Sequence, residues 1–276
     1  MSGKRSKKSY LGEGLMLVVC LFFFAPFYYL LVNTFKPARD ATVSPISLPI
    51  KNFTLDLYRE ALASINFWSS LKNSIIITVV SVIIIIVFGS MASYAISRRK
   101  NKLTKALMFY FLLGFMVPVQ TTLIPLFNIM STLKLQNSVF GMIVLYSSWC
   151  NFAMFMYQGF LSGIPQDLEE AARIDGAGVW KVFWQIVFPL LKPVTATIVI
   201  FDVMWIWNDF MMPYLFISSS KNFTLIMEVY KGVGQFANNW TVMLCTMVIV
   251  LLPITIFYIF MQKHIIAGIT SGAVKG

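Results

Sequence analysis

Residues 73–97 read NSIIITVVSVIIIIVFGSMASYAIS, and no charged side chain interrupts them. A bilayer's hydrocarbon core takes about 20 mainly apolar residues to cross as a helix, and this stretch is long enough. Lys72 and Arg98 flank it. Working outward, the chain supplies five more such runs. Leu15–Val32 is the apolar heart of the first, between Glu13 and Lys36. Lys105 and Lys134 enclose the third, which Pro118 and Pro125 interrupt. The fourth covers about Val139–Phe160, the fifth about Val194–Ile217 and the sixth about Thr241–Gln262. The predicted fold is all-α: a polytopic membrane protein with six transmembrane helices, forming a single transmembrane domain over residues 1–276.

Composition agrees. Hydrophobic residues make up 58% of the chain and charged residues 12%, with a mean hydropathy of +0.75. A soluble domain has roughly 45–50% apolar and about 25% charged residues. Too few charges remain to cover a water-exposed surface, which excludes a soluble enzyme, a disordered chain and a disulfide-stapled secreted domain. The net charge of +11 is spread thinly between apolar runs, so it marks membrane topology rather than a nucleic-acid-binding face. Cys20, Cys150 and Cys245 stand far apart inside apolar runs and suit neither a metal site nor a disulfide framework.

Lys4, Arg5, Lys7 and Lys8 precede the first run, and Arg98, Arg99, Lys100, Lys102 and Lys105 crowd the connection after the second. Basic segments beside helix ends stay cytoplasmic. Both termini are therefore expected on the cytoplasmic side of the cell membrane, as the segments 1–12 and 263–276. The connections 33–73, 132–138 and 218–240 then face out. The first run is too long for a signal peptide, and no small-residue cleavage site follows Val32, so an uncleaved span is expected.

Between the fourth and fifth runs the chain spends residues 161–192 in the cytoplasm, more than a connection needs. Pro165 suits a first helical position, and Asp167, Glu169 and Glu170 favour the positive end of a helix dipole. Leu168, Ala171, Ala172 and Asp175 share a face by helical spacing. Gly176 and Gly178 then break the helix, and a second short one is expected from Val179 to Phe188, before Pro189. Two short helices under a membrane form a knob for docking; the bland alternative is a hairpin resting on the inner leaflet.

Glu170-Ala171-Ala172, three residues, Gly176, nine residues, Ile186, one residue, Phe188-Pro189 closely resembles the signature of ABC-importer permease subunits, Glu-Ala-Ala, three, Gly, nine, Ile, one, Leu-Pro. Phe188 in place of leucine is the one departure. The terminal stretch Ile269-Thr270-Ser271-Gly272-Ala273-Val274-Lys275-Gly276 is similar to the end of the smaller maltose-type permease in the carbohydrate branch. Trp207-Asn208-Asp209-Phe210 adds to the likeness. The resemblance implies a permease subunit of an ATP-driven sugar or oligosaccharide importer. Its partners would be an ATP-binding subunit dimer, a second homologous permease and an extracytoplasmic sugar-binding protein, within membrane lipid. It also implies that Glu170, Ala171, Ala172, Asp175, Gly176, Ile186 and Pro189 couple the chain to the ATPase. By the same likeness an extended tail carrying Ser271, Gly272 and Lys275 would reach between the ATPase subunits. The sequence has no Gly-x-x-x-x-Gly-Lys-Ser/Thr loop, so ATP and magnesium are expected on the partner, with no cofactor and no catalytic or metal-ligating residue on this chain.

Carboxylates inside a span are costly and face a bundle interior or a cavity. Asp202 and Asp209, two turns apart, are therefore candidates for the translocation path, with Asn208 and Gln120; anchoring a neighbouring helix is the bland reading. Trp205, Trp207 and Phe210 read first as interfacial anchors. Three rival functions remain. One is a permease for a non-carbohydrate solute. Another is an ion-coupled secondary transporter acting through the two aspartates, which would need an internal repeat. The last is a membrane enzyme acting on lipid, for which a lone His264 is too little.

Overall fold

The computed structural model describes residues 7–99, 101–235 and 239–273, and no strand occurs among them. Four segments are long and apolar enough to cross a membrane: Gly12–Asn33, Phe67–Arg98, Val139–Leu161 and Trp240–Gln262. Two bent pairs, Lys102–Met116 with Val119–Thr132 and Val179–Leu190 with Lys192–Asn208, bring the total to six when each counts as one span. The chain packs as two compact units: residues 1–67 with 228–253, and residues 68–227 with 254–276.

In the first unit, α1 (Lys7–Asn33) is apolar on every side, with Leu15, Phe22, Phe23 and Phe24 exposed along it. That is what a lipid-facing helix requires. The following connection is folded rather than loose. It holds α2 (Ala38–Val43) and α3 (Asp56–Ser64). Lys36 is buried, and its Nζ donates to the carbonyl of Ser44 at 2.8 Å. Tyr58 donates to Thr34 Oγ1 at 2.8 Å, and Leu57, Ala61 and Ile65 pack on Val242, Cys245 and Ile249.

The second unit holds most of α4 (Phe67–Arg98). This helix starts at Phe67, so the connection predicted as 33–73 ends early. Its small residues allow close approach: a Cβ on Gly89 would sit 3.4 Å from that of Ala153, and Ser93 donates to the carbonyl of Met154 at 3.2 Å. Next come α5 (Lys102–Met116), a 3-10 turn at Val119–Thr122 and α6 (Leu123–Thr132). The helix axis bends by 97° between Lys102–Met116 and Val119–Thr132, at the first of the two interrupting prolines. Pro118 has no N–H and forces Val117 out of the helical region, to φ −75°, ψ 122°.

The fourth span is α7 (Val139–Ser148) and α8 (Asn151–Leu161), joined at Trp149 and Cys150. The predicted hairpin follows as α9 (Asp167–Ile174), α10 (Val179–Val182), a π-turn at Phe183–Val187 and α11 (Phe188–Leu190). A 74° bend then leads to α12 (Lys192–Asn208). The fifth span was expected to reach Ile217, but α12 stops at Asn208. Asp209 there turns extended and accepts, through Oδ1, the backbone N–H of Met211 at 2.8 Å. It thereby caps a separate helix, α13 (Met211–Phe216). α14 (Leu225–Gln235) and α15 (Trp240–Ala273) complete the chain. The extended tail is a further correction: α15 carries Ser271 and Gly272 within the helix, while Lys275 lies outside the described residues.

Candidate functional site

Helix α9 begins at Asp167 rather than at Pro165, with Gln166 at its cap. The N–H groups of Glu169 and Glu170 both donate to the carbonyl of Gln166. At the other end Gly176 takes φ +81°, a conformation that side chains with a Cβ rarely adopt. Gly176 donates to the carbonyl of Arg173 and Ala177 to that of Ala172. These two reverse bonds close a glycine-terminated helix. The chain therefore turns sharply within the hairpin and re-enters a helix at Val179.

The hairpin has an inner and an outer side, and they divide the signature residues. Ala172, Ala177, Val182, Phe183, Val187 and Phe188 pack into the core of the unit, with Ile186 and Pro189 half-buried beside them. Glu170, Ala171, Asp175 and Gly176 are exposed. Ala171 and Ala172 thus fall on opposite sides, where the spacing alone had put them on one face. Around the exposed signature residues stand large apolar side chains, Ile174 at 86%, Val179 at 61% and Trp180 at 65% exposure. Such a cluster at the tip of a well-packed hairpin has the character of an interaction surface.

Sequence reasoning passed over what holds the hairpin in place. Glu169 is 3% exposed. Its Oε1 accepts from Arg98 Nε at 2.6 Å and its Oε2 from the Tyr94 hydroxyl at 2.6 Å. Arg98 also donates to the carbonyls of Leu161 and Ile164, both at 3.3 Å. One guanidinium therefore joins the end of α4, the end of α8 and the first turn of α9. The sequence marks Arg98 only as a topology signal and Glu169 only as a dipole partner. The signal available was helical periodicity, which puts Glu169 and Ala172 on one side and Glu170 on another.

Deeper in the same unit a cavity of about 530 Å³ opens between α5, α8 and α12. Phe115, Trp149, Phe152, Phe201 and Trp205 form most of its wall, with Asn151 and Asp202 as polar members. Trp149 and Trp205 pack against each other there, 5.0 Å centre to centre and tilted by 35°. Asp202 is 5% exposed, and its Oδ2 has no hydrogen-bond partner among the described residues. The other path candidates lie elsewhere. Asp209 caps α13 and accepts from the Tyr146 hydroxyl of α7 at 2.9 Å. Asn208 is exposed and donates to the carbonyl of Met204. Gln120 is exposed in the 3-10 turn. Only Asp202 of the four lines the cavity, and Trp205, read first as an anchor, lines it too.

No group of metal-binding side chains occurs among the described residues. Comparison with known proteins then places this architecture. The family model for the binding-protein-dependent transport system inner membrane component matches residues 85–271. The chain is 35% identical to the melibiose/raffinose/stachyose import permease protein MelC of Bacillus subtilis, over 100% of both chains. It is also 35% identical to the multiple sugar-binding transport system permease protein MsmG of Streptococcus mutans, over 99% of each. Its fold superimposes, at a TM-score of 0.82 and 22% identity, on a chain of a bacterial ABC transporter involved in import of the acidic polysaccharide alginate. The match covers 95% of this chain and 99% of that one. With the signature hairpin folded as a packed knob and the family model spanning most of the molecule, the chain belongs to the inner membrane components of binding-protein-dependent transport systems, a multi-pass permease and a transport subunit rather than an enzyme.

Proposed function

We propose that this permease forms half of the translocation path of an ATP-driven importer of neutral sugars or oligosaccharides. The observation that carries the reading is the hairpin. Its inner side is fixed in the core, while Ile174, Val179 and Trp180 stand exposed around Gly176. That surface suits a groove on an ATP-binding subunit, two of which hold ATP and magnesium. The carboxyl end of α15, at Ser271 and Gly272, is the second proposed contact with them. The sugar follows from full-length relatives named for melibiose, raffinose and stachyose import and for multiple sugar binding. A second homologous permease completes the path. An extracytoplasmic binding protein delivers the substrate, as supported by a structural relative described in complex with an alginate-bound periplasmic protein. The basic segment after α4 supports a cytoplasmic location for both termini and the hairpin.

Co-expression with its ATPase, partner permease and binding protein, followed by reconstitution in proteoliposomes, tests the proposal. Uptake of raffinose or maltotriose that requires internal ATP is expected. Sugar uptake by the purified chain alone, driven by a proton or sodium gradient, would overturn it.

A further inference from the structure

We propose that the cavity between the end of α4, the first half of α5 and α8 binds an anionic phospholipid. Arg99 and Lys105 hold its phosphate, and its first acyl carbons lie along Met108, Phe109 and Leu112. The inference stands apart from the sugar reading and needs only that α4 and α5 belong to membrane spans.

The cations come first. Residues 61–166 contain no aspartate or glutamate, although Arg98, Arg99, Lys100, Lys102 and Lys105 crowd into them. Glu169, from α9, is taken by Arg98, which also spends its remaining donors on two carbonyls. Arg99 and Lys105 belong to no ion pair among the described residues, yet both line one cavity of about 400 Å³. Two cations without counter-charge beside one cavity raise the local concentration of anions. The rim they stand on is fixed. Thr104 donates its hydroxyl to the carbonyl of Arg99 and shares a capping box with Asn101 at the start of α5. Ser97 adds a hydroxyl to the same lining.

The rest of the lining says what kind of anion fits. Beyond the cations the wall is Met108, Phe109 and Leu112. The apolar span of α4 ends at Arg98 and that of α5 starts at Lys102, so Arg99 and Lys105 stand at the membrane boundary. Leu112 lies seven residues past Lys105 on α5, about 10 Å along the helix axis. The cavity therefore runs from headgroup level into the hydrocarbon. A soluble phosphate would answer the cations and leave the apolar wall bare, whereas a phospholipid answers both. Phosphatidylcholine carries an ammonium on the same headgroup, which Arg99 and Lys105 repel. Phosphatidylglycerol and cardiolipin carry none, and basic pockets between membrane helices are where such headgroups bind.

The experiment uses the full chain, purified with the subunits that accompany it, in nanodiscs of phosphatidylcholine with a minority of phosphatidylglycerol. A phosphatidylglycerol carrying a diazirine near the start of one acyl chain is added in trace, and labelled peptides are mapped after photolysis. Label concentrated within residues 96–112 is expected. Unlabelled phosphatidylglycerol should displace it, and neither phosphatidylcholine nor inorganic phosphate should. Arg99→Gln combined with Lys105→Gln should lower that label about thirtyfold, the loss of two cations at a membrane surface. Lys102→Gln removes an exposed cation outside the cavity lining and should leave most of the label. Met108→Trp fills the cavity with both cations intact and should lower the label too, so the test does not depend on the double variant folding. Label absent from residues 96–112, or spread evenly over the spans, would overturn the site. So would an equal loss in Lys102→Gln, which would mean diffuse attraction to an anionic surface. Displacement by inorganic phosphate would make the ligand a soluble anion and overturn the lipid.

Discussion

Two adjacent glutamates behave in opposite ways. Glu170, the signature residue, is exposed, while Glu169 is enclosed by Arg98 and Tyr94. Removing one partner of a buried ion pair leaves an uncompensated charge and costs about 3–5 kcal/mol, whereas replacing both by apolar groups is often near neutral. Glu169→Leu should therefore destabilise the purified chain strongly, and Arg98→Met less so, because Arg173 Nη2 still lies 3.8 Å from Glu169 Oε2. The double variant should lose less than the sum of the two, as thermal unfolding in detergent would show. The double variant should also assemble with its ATPase yet import less sugar per ATP hydrolysed, because α9 is no longer tied to α4 and α8. Additive losses in stability would show that the pair is not coupled. An unchanged sugar-to-ATP ratio would show that it plays no part in transmission.

At the scale of elements, the hairpin is packed into the core on its inner side and apolar at its exposed tip. Trp180 and Ile174 have the size and exposure of anchor residues, and truncating a tryptophan anchor costs about 2 kcal/mol or more at an interface. Trp180→Ala should weaken ATPase binding about thirtyfold, measured by co-purification across a concentration series, with insertion and folding intact. Gly176→Leu should do the same by a different route. A leucine is disfavoured at φ +81°, so the turn opens and the tip is misplaced. Normal association of both variants would remove the docking reading. The hairpin's boundaries were legible because glycine, proline and acidic residues act locally on backbone and dipole. The spans were legible because length and lack of charge are nearly sufficient in lipid. Which glutamate turns inward was not legible, since the answer lies on α4, some seventy residues earlier. Nor was the end of α12. An aspartate two turns past another looks like a helical pair until the N–H groups of Met211 and Met212 are seen to turn to it. The connection after α1 has no long apolar run, so nothing local announced that α3 packs on residues of α15.

Over the whole molecule the question is where the free energy for alternating access enters. Moving a two-state equilibrium from 1:99 to 99:1 takes about 5.5 kcal/mol. One elementary charge crossing 100 mV yields about 2.3 kcal/mol. Asp209 is held by Tyr146 and the cap of α13, whereas Asp202 lines the cavity between α5, α8 and α12. A single charge there falls short of the switching energy by more than half. On the proposed reading the energy arrives through contacts with an ATP-binding partner, and the exposed tip of the hairpin offers a surface for them. Import by the assembled transporter should then persist when proton and sodium gradients are collapsed by ionophores, and stop when ATP is withdrawn. Asp202→Asn should keep that pattern, still blind to ionophores. Sugar accumulation in ATP-free vesicles on imposing an ion gradient, abolished by Asp202→Asn, would instead make the aspartate the coupling group and the hairpin a passive connection.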